Sequence, residues 1–421
     1  MGVSKSGQVA VIGAGIVGVA TAIWLQRAGH RVVLIDREGP AAGASAGNAG
    51  LLAASAVVPV PVPGLWRKAP AMALSPDQPL FVNWRRLPLL LPFLARYLAQ
   101  ARPDRVARIS AALAPILRDS LAEHQALARG TPAARWIHGC DYLFLYRDRA
   151  GYAADRFAWD TRRALGYEWE MLEGAALAAR DPAIGPGFAC AARLGGHGRI
   201  ADPARYVGDL AAHFRAAGGR ILRAEVAAVL RDDKGRLRGL HAGGAVLECR
   251  RAVLCAGIDS GGLMADLGLS VPMQSERGYH LEFWAPSVMP RDPVMVTTGK
   301  FVATPMAGRL RLAGIVEYGG LGAKPASAPL ALLRRQAAAA FPGLRAERVT
   351  EWCGHRPVVA DSLPLIGPVP GVKGLYAGFG HQHVGLTAGA VTGRLLAQMI
   401  SGQTPNRELS AYDPARFARR R

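Results

Sequence analysis

The chain has 421 residues, 50% of them hydrophobic and 19% charged, which excludes a disordered chain and supplies apolar material for more than one core. It carries 51 Lys and Arg, overwhelmingly Arg, against 31 Asp and Glu, and the formal charge of +20 favours anionic partners: phosphates, carboxylates, acidic lipid or RNA. Its five Cys (140, 190, 249, 255 and 353) show neither C-x-x-C nor metal-ligand spacing, so reduced thiols in a cytoplasmic protein are expected, and a disulfide framework is not.

The N-terminal stretch is the most informative. Gln8 to Ile12 reads as a buried strand, Gly13-Ala14-Gly15-Ile16-Val17-Gly18 as a glycine turn, the apolar run to Gly29 as a helix, and Arg31 to Ile35 as a second strand ending on Asp36. Gly13 permits the tight turn, Gly15 lets a pyrophosphate approach the backbone, and Gly18 lets helix and strand pack closely. The helix beginning at Ile16 and Val17 turns its free N–H groups and positive dipole end toward those phosphates. Asp36 lies 23 residues after Gly13, where a carboxylate accepts hydrogen bonds from an adenosine ribose. An ADP-containing cofactor is expected, and these residues leave NAD and FAD open. The apolar run from Val9 to Leu25 has no basic leader and no cleavage site, so it is not read as a signal peptide.

Beyond Asp36 and Arg37, Ser45-Ala46-Gly47-Asn48-Ala49-Gly50-Leu51 is a run of mostly small residues whose amides can close over a flat ligand. Residues 59–92 are rich in Pro and Trp, and the apolar run from Leu87 to Leu94 is far short of the roughly 20 residues a membrane span needs. Apolar positions 81, 84, 87, 91, 94 and 98, with Arg85, Arg86, Arg96 and Arg102 around them, predict an amphipathic element. It packs on its own domain or lies on an anionic membrane surface. Helices are predicted over 105–129 and 152–165, a strand over 141–146, and a further helix capped by Asp202-Pro203 and running to Gly218. Short apolar runs between Arg220 and Gly257, including Val226 to Leu230, read as a hairpin-rich insert returning to a buried strand that ends at Ala256-Gly257. Alternation at Tyr279, Leu281 and Phe283 predicts an antiparallel sheet within 273–317. A helix follows over 329–341. The chain then closes with a strand over 374–380, a turn at His381-Gln382-His383 and a helix from Gly385 to Ile400 stopped at Gly402.

Five segments in order resemble the D-amino-acid oxidase superfamily of flavoproteins, most of all its bacterial D-amino-acid dehydrogenase branch. They are the N-terminal fingerprint, the loop Ser45 to Gly50, Leu254-Cys255-Ala256-Gly257, Arg356-Pro357 through Gly367, and Gly380-His381 through Gly385-Leu386-Thr387. The strand Glu276-Arg277-Gly278-Tyr279-His280 resembles the family's substrate-site strand. The chain departs from the best-known bacterial dehydrogenases at His280, Gln382 and His383, which bears on substrate and not on fold.

The resemblance implies a Rossmann-type FAD-binding domain (1–80, 196–268 and 350–421) interleaved with a substrate domain built on an antiparallel sheet (81–195 and 269–349). It implies non-covalent FAD, with Gly13, Gly15, Ile16, Val17, Gly18, Asp36, Arg37 and Val226 at its ADP half. Ser45, Asn48, Ala49, Gly50, Leu51, Ala256 and Gly257 lie along the cofactor, and Gly380, His381, Gly385, Leu386 and Thr387 lie at the flavin pyrimidine. There a helix N-terminus stabilises the negative charge of the reduced ring. Cys353 is out of register for covalent attachment.

Arg356 resembles the family's carboxylate-binding arginine, whose planar fork matches a carboxylate. Tyr279 is expected to donate to that carboxylate or to pack over the ring. His280, His355 and His383 are pocket candidates, and His381 and His383 lack the companions a metal site needs.

The implied reaction is oxidative deamination of D-amino acids, or of D-proline- or hydroxyproline-type imino acids. Hydride leaves Cα for flavin N5, and electrons pass to a quinone or another acceptor. Competing readings are a sarcosine- or glycine-type oxidase using O2, a tRNA-modifying flavoprotein, and a non-catalytic flavin-binding subunit. The charge suits RNA, but nucleic acid is not the expected partner because no separate RNA-binding module is visible. Placement is expected to be cytoplasmic, with peripheral contact at the inner face of the membrane through residues 81–98.

Overall fold

The computed structural model describes residues 7–67, 72, 75, 77–322 and 324–418. The buried apolar strand Val9–Ile12 sits at the centre of a six-stranded sheet, where runs covered on both faces belong. It pairs in parallel with Val32–Asp36 on one side and Arg251–Leu254 on the other. Arg220–Arg223 and Leu375–Phe379 extend the sheet in parallel, and Leu365–Pro368 closes it antiparallel. The predicted insert is a three-stranded antiparallel sheet of Val226–Arg231, Leu237–Ala242 and Ala245–Glu248.

The helix Ile16–Arg27 lies against the last helix, Gly385–Ile400. A Cβ on Gly393 would come 2.6 Å from the Thr21 backbone nitrogen, so the absence of a side chain sets this close approach. Both helices bury small and branched residues in one core with Val9, Val11 and Leu34 of the sheet.

A second, ten-stranded sheet is mostly antiparallel. Met273–Trp284 lies within it between Arg309–Tyr318 and Arg348–Val359, and pairs antiparallel with both. The fold is thus a Rossmann-type parallel sheet interleaved with an antiparallel substrate-side sheet. The expected boundary at 350 falls inside the strand Arg348–Val359, which joins the second sheet. Strand pairing over the whole length of Met273–Trp284 decides that, and it is invisible locally.

Two long predicted helices are each broken. Residues 105–129 form Pro103–Leu117 and Ser120–Ala128, and residues 152–165 form Arg149–Ala154 and Arg156–Ala164. The Asp202 cap is present: its carboxylate accepts from the Arg205 amide at 3.0 Å. In residues 81–98 the helix Leu87–Leu98 buries Leu90, Phe93 and Tyr97 against Tyr318, Val358 and Ala360. Its inward stripe is therefore offset from the predicted one, and Leu89 and Leu91 point to solvent, 75% and 54% exposed. Among the described residues, no helix is long and apolar enough to cross a membrane.

Candidate active site

One cavity of about 1640 Å³ runs from the first glycine turn to the antiparallel sheet. That exceeds the roughly 300–1,000 Å³ of an ordinary small-molecule site and suits a dinucleotide with a substrate at its far end.

At the near end the turn is shaped by missing side chains. Gly13 has φ +102, and a Cβ there would lie 2.4 Å from the Cys255 carbonyl oxygen. On Gly18, a Cβ would lie 1.8 Å from the Gly13 carbonyl oxygen. Asp36 accepts from the Ala14 amide at 2.7 Å, and from the Glu38 and Gly39 amides at 2.9 Å each. Three backbone donors thus hold the carboxylate beside the cavity, with lone-pair capacity left for ribose hydroxyls. Ser45 accepts from the Ile16 amide at 2.9 Å, so the first helical donor is capped by the small-residue loop. Gly15, Ile16, Val17, Arg37, Val226, Ala256 and Gly257 line this end, whereas Gly18 and Gly50 pack behind it. The cradle, the fixed carboxylate and the size of the cavity fit FAD, whose ADP half these residues would surround.

The small-residue loop is an ordered turn of helix, Ala44–Gly47, followed by Asn48. Asn48 donates to the Ser45 carbonyl and accepts from the Gly50 amide, both at 2.8 Å. Asn48 and Ala49 line the cavity with Leu51, and the N-terminus of the last helix opens there through Gly385, Leu386 and Thr387. The Thr387 hydroxyl accepts from the Ala53 amide at 3.1 Å, tying that helix to the loop. Gly380 and His381 line the same wall, but the His381 ring is buried on Thr392 at 3.0 Å. Burial lowers its pKa to about 4, so it stays neutral.

The far end is built on two paired strands. Glu276 faces Arg356, Gly278 faces Gly354, and His280 faces Trp352, so all six share one side of the sheet. The Arg356 guanidinium lies over Gly278, where a Cβ would sit 2.2 Å from Nη2, and the Trp352 indole lies over Gly354, 2.1 Å from the equivalent point. The glycine pair makes a trough in which cation and indole lean toward each other.

Glu276 is 1% exposed, and its Oε1 accepts from Arg356 Nη1 at 3.0 Å and contacts His383 Nε2 at 2.7 Å. Its Oε2 accepts from Tyr318 at 3.2 Å. Burial alone would raise its pKa, but the charges and hydrogen bonds of His383 and Arg356 outweigh burial and bring it to about 2. Burial, then Glu276, push the hydroxyls of Tyr97 and Tyr318 well above the phenol range, so both remain protonated. The turn that delivers His383 holds Gln382 at φ +51, a left-handed conformation that side chains rarely adopt.

Two expected site residues lie elsewhere. Tyr279 does not line the cavity. Its position in the strand alternates with those of Glu276 and Gly278, and its hydroxyl donates to Glu317 on the opposite face and accepts from the Ala326 amide at 3.1 Å. His280 shares the cavity-side face but lies under Trp352, stacked on it at 5.0 Å and 12°. It donates to the Gly47 carbonyl at 2.9 Å, and burial, then Arg311, lower it to about 4. It supports the indole and the loop, not a substrate. His355 lines the cavity but bonds Ser275 at 2.7 Å. Cys353 also lines it, with a thiol raised by burial.

Sequence reasoning missed Glu276, Trp352, Tyr97 and Tyr318. Once Arg356 is placed on a strand, period-two alternation already points Trp352 and Gly354 to its side. Glu276 and the tyrosines depend on pairing between distant segments. Also missed was the buried group in which Glu282 holds Arg309 at 2.6 Å and Arg311 at 2.7 Å, while Arg311 donates to the Asn48 carbonyl at 2.6 Å. It anchors the small-residue loop to the sheet.

The DAO family profile, described as FAD dependent oxidoreductase, matches residues 8–399. A D-amino-acid oxidase of Bradyrhizobium diazoefficiens is 36% identical over 416 residues, 97% of this chain and 98% of the relative. A D-amino acid dehydrogenase of Methylobacterium nodulans is 32% identical, over 94% of this chain and 96% of the relative. Among solved structures, glycine oxidase from Geobacillus kaustophilus superposes with a TM-score of 0.73 at 22% identity, covering 99% of each chain, a likeness of fold alone. With the fingerprint, the cradle and the full-length relatives in agreement, this chain belongs to the DAO family of FAD-dependent oxidoreductases, and FAD is its cofactor.

Proposed function

We propose that the protein oxidises D-amino acids, or D-imino acids of the proline type, at Cα, in an active site formed by Arg356, Glu276, His383, Tyr97 and Tyr318. The observation that carries this reading is the Arg356–Glu276 pair beside the trough. Glu276 holds Nη1, and Nη2 remains over Gly278 to receive a substrate carboxylate. Bound FAD supplies the acceptor for the two electrons and the hydrogen lost from Cα. The protein's own part is to fix the carboxylate on a planar donor whose other edge is already satisfied, and to press the substrate's remaining atoms against Trp352 in a largely apolar compartment. The D preference follows the names of the curated relatives, all full-length matches.

Anaerobic mixing with a panel of D- and L-amino acids, read at the flavin absorbance, tests this directly. Bleaching by D-amino acids supports it, and a flavin that no amino acid bleaches refutes it. Two acceptors have support. The oxidase name of the 36% relative favours O2, whereas the dehydrogenase names of relatives near 30% favour a quinone or other acceptor. Reoxidation of the reduced protein by air against a soluble quinone decides between them.

A peripheral membrane contact also belongs to this reading. Trp66, Trp84, Leu89 and Leu91 are 57%, 53%, 75% and 54% exposed, and Trp66 and Trp84 line the mouth of the cavity. Arg67, Arg85 and Arg86 are exposed close by in the chain, so attraction to anionic vesicles should weaken with salt. No flotation with such vesicles at low salt would overturn the contact. The division into an FAD-binding part and a substrate part is proposed to follow the two large sheets, with Arg348–Val359 on the substrate side.

A further inference from the structure

With the substrate carboxylate on Arg356, the substrate amine still needs a partner. An α-amino acid near neutral pH carries an ammonium group, and hydrogen cannot leave Cα as hydride until nitrogen has a lone pair to form the C=N bond. The ammonium proton must go somewhere. His383 is the side chain placed to take it. Its Nε2 sits 2.7 Å from Glu276 Oε1, the same oxygen that Arg356 Nη1 approaches at 3.0 Å. Arginine and imidazole are thus bracketed by one carboxylate oxygen. Carboxylate and amine are only two bonds apart through Cα, so a substrate seated on Arg356 brings its nitrogen to the imidazole.

An ionised carboxylate on Nε2 fixes the tautomer that donates there and leaves Nδ1 with the lone pair. His383 is not a core histidine: its side chain is 34% exposed and lines the cavity, whereas the rings of His280 and His381 are buried. The strained backbone at Gln382 also points to a turn held in place for a purpose. His383 meets Glu276, and the other titratable groups gathered on that carboxylate are Arg356 from the paired strand, Tyr318 from the neighbouring strand and, within its electrostatic reach, Tyr97 from the helix Leu87–Leu98.

We propose that His383, oriented by Glu276, is the base that accepts the substrate's ammonium proton. One N–H bond of the substrate breaks, one forms at Nδ1, and the substrate is left as a neutral amine with its carboxylate on Arg356. No redox partner is needed for this step. Glu276 is then a positioning residue that acts on two catalytic side chains at once.

The inference rests on the amino-acid reading, and the test separates the two. If no amino acid bleaches the flavin of the parent protein, the reading itself fails. Given bleaching by the parent, His383→Gln should lower kcat/KM by about 10²-fold at pH 7, within the usual contribution of a general base. The deficit should shrink steadily toward pH 10, as the substrate's own amine loses its proton in solution. His383→Ala should behave alike and recover activity when imidazole is added. Both variants should retain FAD and bind propionate, which has a carboxylate and no amine, within about twofold of the parent by calorimetry, since Arg356 is intact. A deficit constant from pH 7 to 10, or a tenfold loss of propionate affinity, would overturn the proposal by making His383 a structural or carboxylate-binding residue.

Discussion

The two ends of the cavity are built on opposite principles. At the nucleotide end, recognition is done by backbone and by absent side chains. Gly13 and Gly18 could not carry a Cβ without meeting backbone at 2.4 and 1.8 Å, and Asp36 is held by three backbone amides, Ala14 of the glycine turn and Glu38 and Gly39 just beyond Asp36 itself. At the substrate end, the side chains of Arg356, His383 and Tyr318, from three different elements, converge on one buried carboxylate, Glu276. The first arrangement is local and tolerant of what surrounds it. The second exists only if distant strands meet in the correct register, and under the proposed function it would hold a small ligand through few groups, so each group would carry more of the energy.

The largest expected effect tests that last point. Two charge-assisted hydrogen bonds to a carboxylate supply about 3 to 4 kcal/mol, on the order of 10² to 10³ in kcat/KM. Arg356→Ala should lose that much toward D-amino acids with FAD retained, and Arg356→Lys somewhat less, because the charge remains without the fork. Steady-state kinetics on flavin-loaded variants checks this; loss of flavin instead would make Arg356 structural and erase the contrast between the ends.

Glu276 comes next. Its folded pKa of about 2 lies below the usual value of 4.5, so its stabilisation is fully present above the unfolded value. It is lost as pH falls through the window from 4.5 toward 2. Glu276→Gln should cost on the order of 2 to 3 kcal/mol at pH 7 and flatten the acid limb of thermal stability in that window. Melting curves between pH 7 and pH 3 provide the check, and parallel limbs for parent and variant would contradict it.

At the nucleotide end, Asp36→Ala should weaken FAD by about 1.5 to 3 kcal/mol, the range for hydrogen bonds to a charged group, and leave kcat of the loaded enzyme unchanged. Flavin retained on dialysis to the parent's extent would show that the carboxylate serves only the three amides it already holds. The smallest effect belongs to Tyr279→Phe. Because the hydroxyl faces Glu317 and the Ala326 amide, a stability loss of about 1 kcal/mol with KM unchanged is expected. A rise in KM would bring Tyr279 back to the substrate.

The sequence by itself determined the nucleotide end, the order of its elements and the helix from Gly385 to Ile400, because a glycine turn, a strand pattern and a stop signal are encoded in contiguous residues. It also singled out Arg356 through a resemblance. What it could not determine was which face of a strand meets which ligand. Tyr279 and His280 are neighbours on one strand, so they point to opposite sides, and both cannot touch a substrate held on one. Only the tertiary structure placed Glu276 against Arg356, 80 residues away, set His383 on the same oxygen, and offset the buried stripe of Leu87–Leu98 to Leu90, Phe93 and Tyr97. The physical reason is that burying an ionised carboxylate is affordable only where its partners arrive together, and their arrival is decided by strand register and helix docking, which no local pattern contains.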